Sequence, residues 1–226
     1  MDDVAGLAEA VAGGADRVEL CAALGLGGLT PSVGLMTAAQ VCGVPVMAMI
    51  RPRAGDFVFS AAEVAVMKAD VRAVRAAGLA GVVLGASLPD GRLDEAVLGE
   101  LVAEAAGMDL TLHRAVDLAP DAAEAVEMAV QLGFRRVLSS GGARVATDGI
   151  ERLALMIRVA AGRLMVMPGS GVSVESWPAL VGLGVTEIHA SCSIAQRGRV
   201  DPFGFVTGTE RRTDRAKVRA LKDLLG

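Results

Sequence analysis

Seven short apolar runs begin near residues 17, 45, 81, 109, 136, 164 and 187, and each is followed by a helical pattern. The runs recur every 25–35 residues or so, without a shift of composition along the chain. This alternation limits the fold more than any other feature. Strands separated by a crossover helix must pair in parallel, and a chain of such units is an α/β protein. One domain over residues 1–226 is expected. An open doubly wound sheet and a closed (β/α)8 barrel both satisfy the pattern.

Two details favour the barrel. The chain opens with a helical stripe over residues 3–12, carrying Val4, Leu7, Ala8 and Val11, with no strand before it. One more strand upstream would complete eight units, so the expected fold is a TIM-type (β/α)8 barrel with its first strand missing. A gap should then lie between the strands at 17–21 and 187–191. Strand parity is the second detail. Val18, Leu20, Leu110, Leu112 and Ile188 share one phase; Glu19, Cys21, Thr111, His113, His189 and Ser191 share the other. A barrel packs one phase under its helices and gathers polar ends at its C-terminal mouth, where barrel chemistry sits.

The other elements carry their own signals. Ser60 and Glu63 form a capping box, and Asp121 and Glu124 open another helix. Thr30-Pro31 predicts an N-cap followed by a first-turn proline. Residues 195–212 read as irregular and partly basic, and a last helix starts near Asp214 with Val218, Leu221 and Leu225 inside.

Composition narrows the function. The chain has a net charge of −4, 3% aromatic residues and no tyrosine. It therefore lacks both the basic footprint and the stacking platforms of a nucleic-acid binder. Three cysteines without CxxC spacing argue for a reducing compartment and against a disulfide framework or structural zinc. No basic stretch followed by an apolar core opens the chain, and no apolar run reaches the roughly 18 residues of a membrane span. A cytoplasmic protein is expected.

The chemistry concentrates at the strand ends. His113, Arg114 and Asp117 crowd onto the turn after the fourth strand, and His189 ends the seventh. A structural, hydrogen-bonded histidine is the plainer reading for each; their shared location raises proton transfer to equal standing. Arg51, Arg53 and Arg114 could clamp an anion, or could pair with Glu19, Asp56 and Asp117 and neutralise the rim. Ser140-Gly141 and Gly169-Ser-Gly171 place backbone amides where an anion could sit. Cys21 is a soft metal ligand or a small buried hydrophobe. The lysines Lys68, Lys217 and Lys222 fall on helices, which argues against a Schiff base.

These stretches together resemble the CutC family, which is named for copper homeostasis. The matching segments are Gly14-Ala-Asp-Arg-Val-Glu-Leu-Cys21, Gly27-Gly-Leu-Thr-Pro-Ser32, Ile50-Arg-Pro-Arg-Ala-Gly-Asp-Phe57, His113-Arg-Ala-Val-Asp117, Leu138-Ser-Ser-Gly-Gly142, Met167-Pro-Gly-Ser-Gly171 and Ile188-His-Ala-Ser191. The resemblance implies a (β/α)8 barrel, a cytoplasmic home and assembly into homo-oligomers. It attributes Cu(I) binding to cysteines on the first two barrel strands. Cys21 is the counterpart of the second; the family's first strand is absent, and the chain begins at what looks like its tail, Met1-Asp2-Asp3.

Two functions follow as expectations. One is a copper-binding barrel using Cys21. The other is an enzyme acting on a small anionic or phosphorylated substrate. There Arg51, Arg53 and Arg114, with the amides of Ser140, Gly141, Gly169 and Gly171, hold the anion. His113, His189, Glu19 and Asp117 supply the proton chemistry.

Overall fold

The computed structural model describes residues 1–200, 203 and 207–225. Six parallel strands form one sheet in sequence order: β1 (Val18–Leu20), β2 (Val46–Met49), β3 (Gly81–Leu84), β4 (Asp109–Leu112), β5 (Arg136–Ser139) and β6 (Met165–Pro168). The helices α1 (Val4–Gly13), α2 (Val33–Ala39), α3 (Ala61–Ala76), α4 (Glu95–Glu104), α5 (Ala122–Gln131), α6 (Ile150–Ala160) and the short α7 (Trp177–Leu180) accompany them. An antiparallel pair, β7 (Ser193–Val200) and β8 (Thr207–Thr213), leads into α8 (Arg215–Leu225).

Strand parity sorts the core as expected. Val18, Leu20, Val46, Ala48, Ile50, Val82, Leu84, Leu110 and Leu112 join the large cluster that also holds the buried helix residues. The opposite phase contributes a separate small cluster of Cys21, Met47, Met49 and Val83 inside the curl of the sheet. The capping box on α3 forms as read, and the stripe of Val64, Met67, Val71 and Val74 is buried.

The sheet curls into a half-barrel, and one carboxylate shows it. Glu187 Oε2 accepts from Arg17 at 2.5 Å and from Arg136 at 2.6 Å. Arg17 precedes β1 and Arg136 lies on β5, four strand positions away. In a flat sheet those strands would stand about 19 Å apart, with their side chains perpendicular to the plane. Only a curled sheet lets both arginines reach one oxygen. Arg136 also donates to both Asp109 oxygens at 2.7 Å.

Four expectations need correction. The seventh strand, expected at 187–191, does not form and makes no ladder; its link to β6 is the bond from His189 N to Pro168 O at 2.9 Å. The parallel sheet therefore ends at β6, with β1 at the other edge. On that edge Met1 N donates to Glu19 O at 2.7 Å and accepts, through its carbonyl, from Cys21 N at 2.7 Å, one step of a parallel ladder. The segment expected to be irregular, 195–212, falls largely within β7 and β8, because its two stretches pair with each other in an antiparallel ladder that local pattern does not show; residues 201–202 and 204–206 lie outside the described residues.

The N-cap of α2 is Ser32, not Thr30. Thr30 is held instead by Arg51: its N–H and hydroxyl reach the Arg51 carbonyl, and Arg51 N donates to its Oγ1. On α1 the buried face is Gly6, Leu7, Ala10 and Gly13 rather than the stripe through Val4 and Ala8. Gly13 meets Val218 of α8 so closely that a Cβ would stand 2.5 Å from the valine. Backbone approach to α8, rather than apolar periodicity, sets that helix's rotation.

Glu187 supplies a test. Burial alone would raise its pKa, but Arg17 and Arg136 hold it below the usual carboxylate range. A depressed folded-state pKa adds stability above the unfolded value of about 4.3 that is lost as pH falls through the folded value. Glu187→Gln should therefore cost on the order of 1–3 kcal/mol at pH 7. In paired thermal melts the gap to the parent should hold from pH 7 to about 5 and shrink below that. A gap independent of pH down to 3 would rule out the ionised tie.

Candidate functional site

Side chains from the strand ends converge on a cavity of about 900 Å³, walled by the loops after β1, β2, β4 and β6 and by the N-terminal half of α8. Of the residues singled out in the sequence, Glu19, Arg51, His113, Arg114, Gly171 and His189 line it. Asp117, Arg53, Ser140, Gly141, Gly169 and Cys21 do not.

Asp117 explains several of these absences. Its carboxylate accepts from Ser139 Oγ at 2.5 Å, Gly142 N at 3.0 Å, Ser140 N at 3.1 Å and Arg114 Nε at 2.7 Å. Burial would raise its pKa, but these donors hold it below the usual range. The Ser140–Gly142 loop is therefore an anion cradle already filled by the protein's own carboxylate. Gly169 N is likewise taken, donating to Ser139 O at 2.9 Å. Gly171, at a φ of 72° that favours glycine, faces the cavity together with its neighbour Ser170.

The arginines also separate. Arg53 stands outside, bound to Glu63 and Asp56 and packed over the Phe59 ring. Arg114 is neutralised by Asp117. Arg51 is different: it is 6% exposed, and NH1 donates to Leu26 O and Gly28 O while NH2 donates to Gly55 O. These three carbonyls fix two loops around the guanidinium, so its terminal nitrogens are not an open clamp. Among the described residues no carboxylate pairs with Arg51, whereas Arg17, Arg53, Arg114 and Arg136 each have one. A buried cation without a counter-charge is costly, and burial with Arg53 nearby lowers its pKa.

His113, at 3% exposure, closes β4. Gly85 makes room for it: a Cβ there would lie 2.5 Å from the imidazole Nδ1 and Cε1. Nδ1 accepts from Ala115 N at 3.2 Å, so the proton of the neutral ring sits on Nε2. Burial, and then the Arg51 charge, push its pKa down to about 4. His113 is thus a neutral N–H donor at pH 7. His189 faces Glu19, Nδ1 to Oε2 at 3.8 Å.

Sequence reasoning missed Phe57, Arg211 and Lys217, which also line the cavity. The Phe57 ring lies 4.7 Å from the His113 ring and 4.9 Å beneath the Arg51 guanidinium. Its place in the Arg51–Phe57 stretch was the available signal. Arg211 and Lys217 come from the C-terminal segment, where nothing local marks them. With Arg51 and Arg114 they set four cations against Glu19 and Glu175 in the cavity wall, in a chain whose net charge is −4.

The CutC family model matches residues 1–194. The chain belongs to the CutC family. A family protein CutC of Rhizobium meliloti (strain 1021) is 57% identical over 226 residues, covering 98% of this chain and 92% of that protein. The crystal structure of a CutC from Streptococcus agalactiae, which carries the copper-homeostasis name, aligns with a TM-score of 0.75 at 30% identity, over 78% of this chain and 88% of that one. A thiamine phosphate pyrophosphorylase from Pyrococcus furiosus shares the fold, with a TM-score of 0.62 at 15% identity over 99% of this chain and 89% of its own.

The copper in the family name finds a poor donor set here. Cys21 is 1% exposed and its thiol points to Glu19 Oε1 at 3.6 Å. Burial, reinforced by the Glu19 charge, pushes the thiol well above its usual range, whereas a metal ligand must be a thiolate. Among the described residues no group of three or more His, Cys, Asp or Glu side chains could hold a metal ion. No helix among them is long and apolar enough to cross a membrane.

The tautomer is directly measurable. In long-range ¹H–¹⁵N spectra His113 should show a protonated Nε2 and an unprotonated Nδ1 across pH 5–8, with a midpoint near 4. A midpoint close to 6.5 would contradict the assignment.

Proposed function

We propose that this CutC chain is an enzyme whose cavity binds a small anionic or phosphorylated molecule, rather than a copper carrier. The observation that carries the reading is Arg51, a buried guanidinium at the cavity wall with no carboxylate partner among the described residues. A ligand anion would supply the missing counter-charge. Arg211, Lys217 and the Gly171 turn offer it further donors around the same cavity. Glu19 with His189 is the acid–base pair of this reading, and Arg114 with Asp117 a rigid wall. The reading includes a TIM-type (β/α)8 barrel without its first strand, supported by the Glu187 tie between β5 and the start of β1. Cu(I) binding remains the rival, and what favours it is the packing of Cys21 against Met47 and Met49, three soft side chains in one cluster.

A thermal-shift comparison separates the two. Phosphate or a phosphorylated sugar at a hundredfold excess over Kd should stabilise the protein by about 2.7 kcal/mol. Arg51→Ala should abolish that shift, and Arg51→Lys, which keeps the charge, should retain part of it. Cys21→Ser should leave it nearly intact. Tight binding of one equivalent of Cu(I) under reducing conditions, lost in Cys21→Ser, together with no shift from any anion, would establish the copper reading instead.

A further inference from the structure

Among the described residues only three buried side-chain polar atoms lack a hydrogen-bond partner: Arg51 Nε, Ser87 Oγ and His113 Nε2. Buried donors without acceptors are costly and call for a physical explanation. Two of the three are N–H donors at the same end of the sheet on alternate strands, since Arg51 follows β2 and His113 follows β4, with β3 between them. Both donors belong to side chains packed on one ring, that of Phe57. Neither donor can turn away. Arg51 is pinned by three loop carbonyls, and His113 by the Ala115 N–H on its Nδ1. Arg51, His113 and Phe57 all border the cavity.

We propose that Arg51 Nε–H and His113 Nε2–H form a two-donor subsite for an oxygen of the anionic ligand, and that the Phe57 ring covers this subsite until the ligand displaces it. The chemistry that fits is an oxygen bearing full or partial negative charge, on a carboxylate or a phosphate. One donor is cationic and one neutral, so the site attracts charge without a second cation beside the imidazole. Two rigid donors bring little reorganisation cost, which is what an oxyanion site requires. Phe57 makes the closed state drier and offsets the two orphaned donors by packing against both side chains. The inference rests on the proposed anion-binding function and assigns its atoms.

The test is a set of dissociation constants for two probes, inorganic phosphate and pyruvate, by calorimetry at pH 7. The probe that binds more tightly identifies the phosphate or the carboxylate as the source of the oxygen. His113→Gln keeps an N–H near the Nε2 position, whereas His113→Phe keeps the ring volume without it. Binding should weaken at least tenfold in His113→Phe and be largely restored in His113→Gln; a packing role would favour the phenylalanine. Phe57→Ala should tighten binding severalfold, because the ligand no longer has to displace the ring. In the parent, the His113 Nε2 proton resonance should move downfield on saturation. If the parent binds a probe and loses it in Arg51→Ala, yet His113→Phe and Phe57→Ala bind like the parent, the subsite is wrong and the anion-binding function stands. If the parent binds neither probe, both fall.

Discussion

The curl of the sheet rests on a single shared carboxylate. Glu187 draws Arg17 from the start of β1 and Arg136 from β5 onto one oxygen, and Asp109 completes the network from β4. Half-buried charges of this kind hold only when each is answered, and here two arginines meet two carboxylates. Closing the N-terminal end of the strands in this way turns the opposite ends toward one another. The cavity at the C-terminal ends is a consequence of that curvature.

The two ends then follow different electrostatic rules. At the closed end Arg17, Arg136, Asp109 and Glu187 pair with one another. At the cavity, Asp117 is saturated by hydroxyl and amide donors, so the Ser140–Gly142 loop is rigid and offers nothing to a ligand. Arg51 and His113 are the reverse, immobilised through their other atoms but left with a donor each. The contrast between filled and unfilled hydrogen-bonding capacity within one rim distinguishes scaffold from site more clearly than charge does. His113 is held as a fixed donor, and Glu19 and His189 face each other across the same rim.

Membership of the CutC family accounts for the shared strand-end motifs and the fold. It does not by itself assign Cys21 to a metal. That thiol sits in an apolar cluster beside a carboxylate, and both surroundings favour its protonated form.

The sequence by itself determined the alternation of strands and helices, the parity that sends Leu20 and Leu112 under the helices and Glu19 and His113 inward, and caps such as Ser60–Glu63. These are local properties, set by periodicity and by the first turn of a helix. It also marked Arg51 and His113 by their position at strand ends. The role of each, however, was decided in three dimensions. Whether Arg51 met a carboxylate or three loop carbonyls depended on how residues 26–28 and 55 came to surround it. The His113 tautomer depended on one backbone amide and on the space that Gly85 leaves. The expected seventh strand failed for the same reason. A strand needs partners on a neighbouring chain segment, and residues 187–191 find one bond to β6 where local pattern anticipated a ladder. Pairing is a non-local property, and hydrogen-bond satisfaction is counted only once every neighbour is in place.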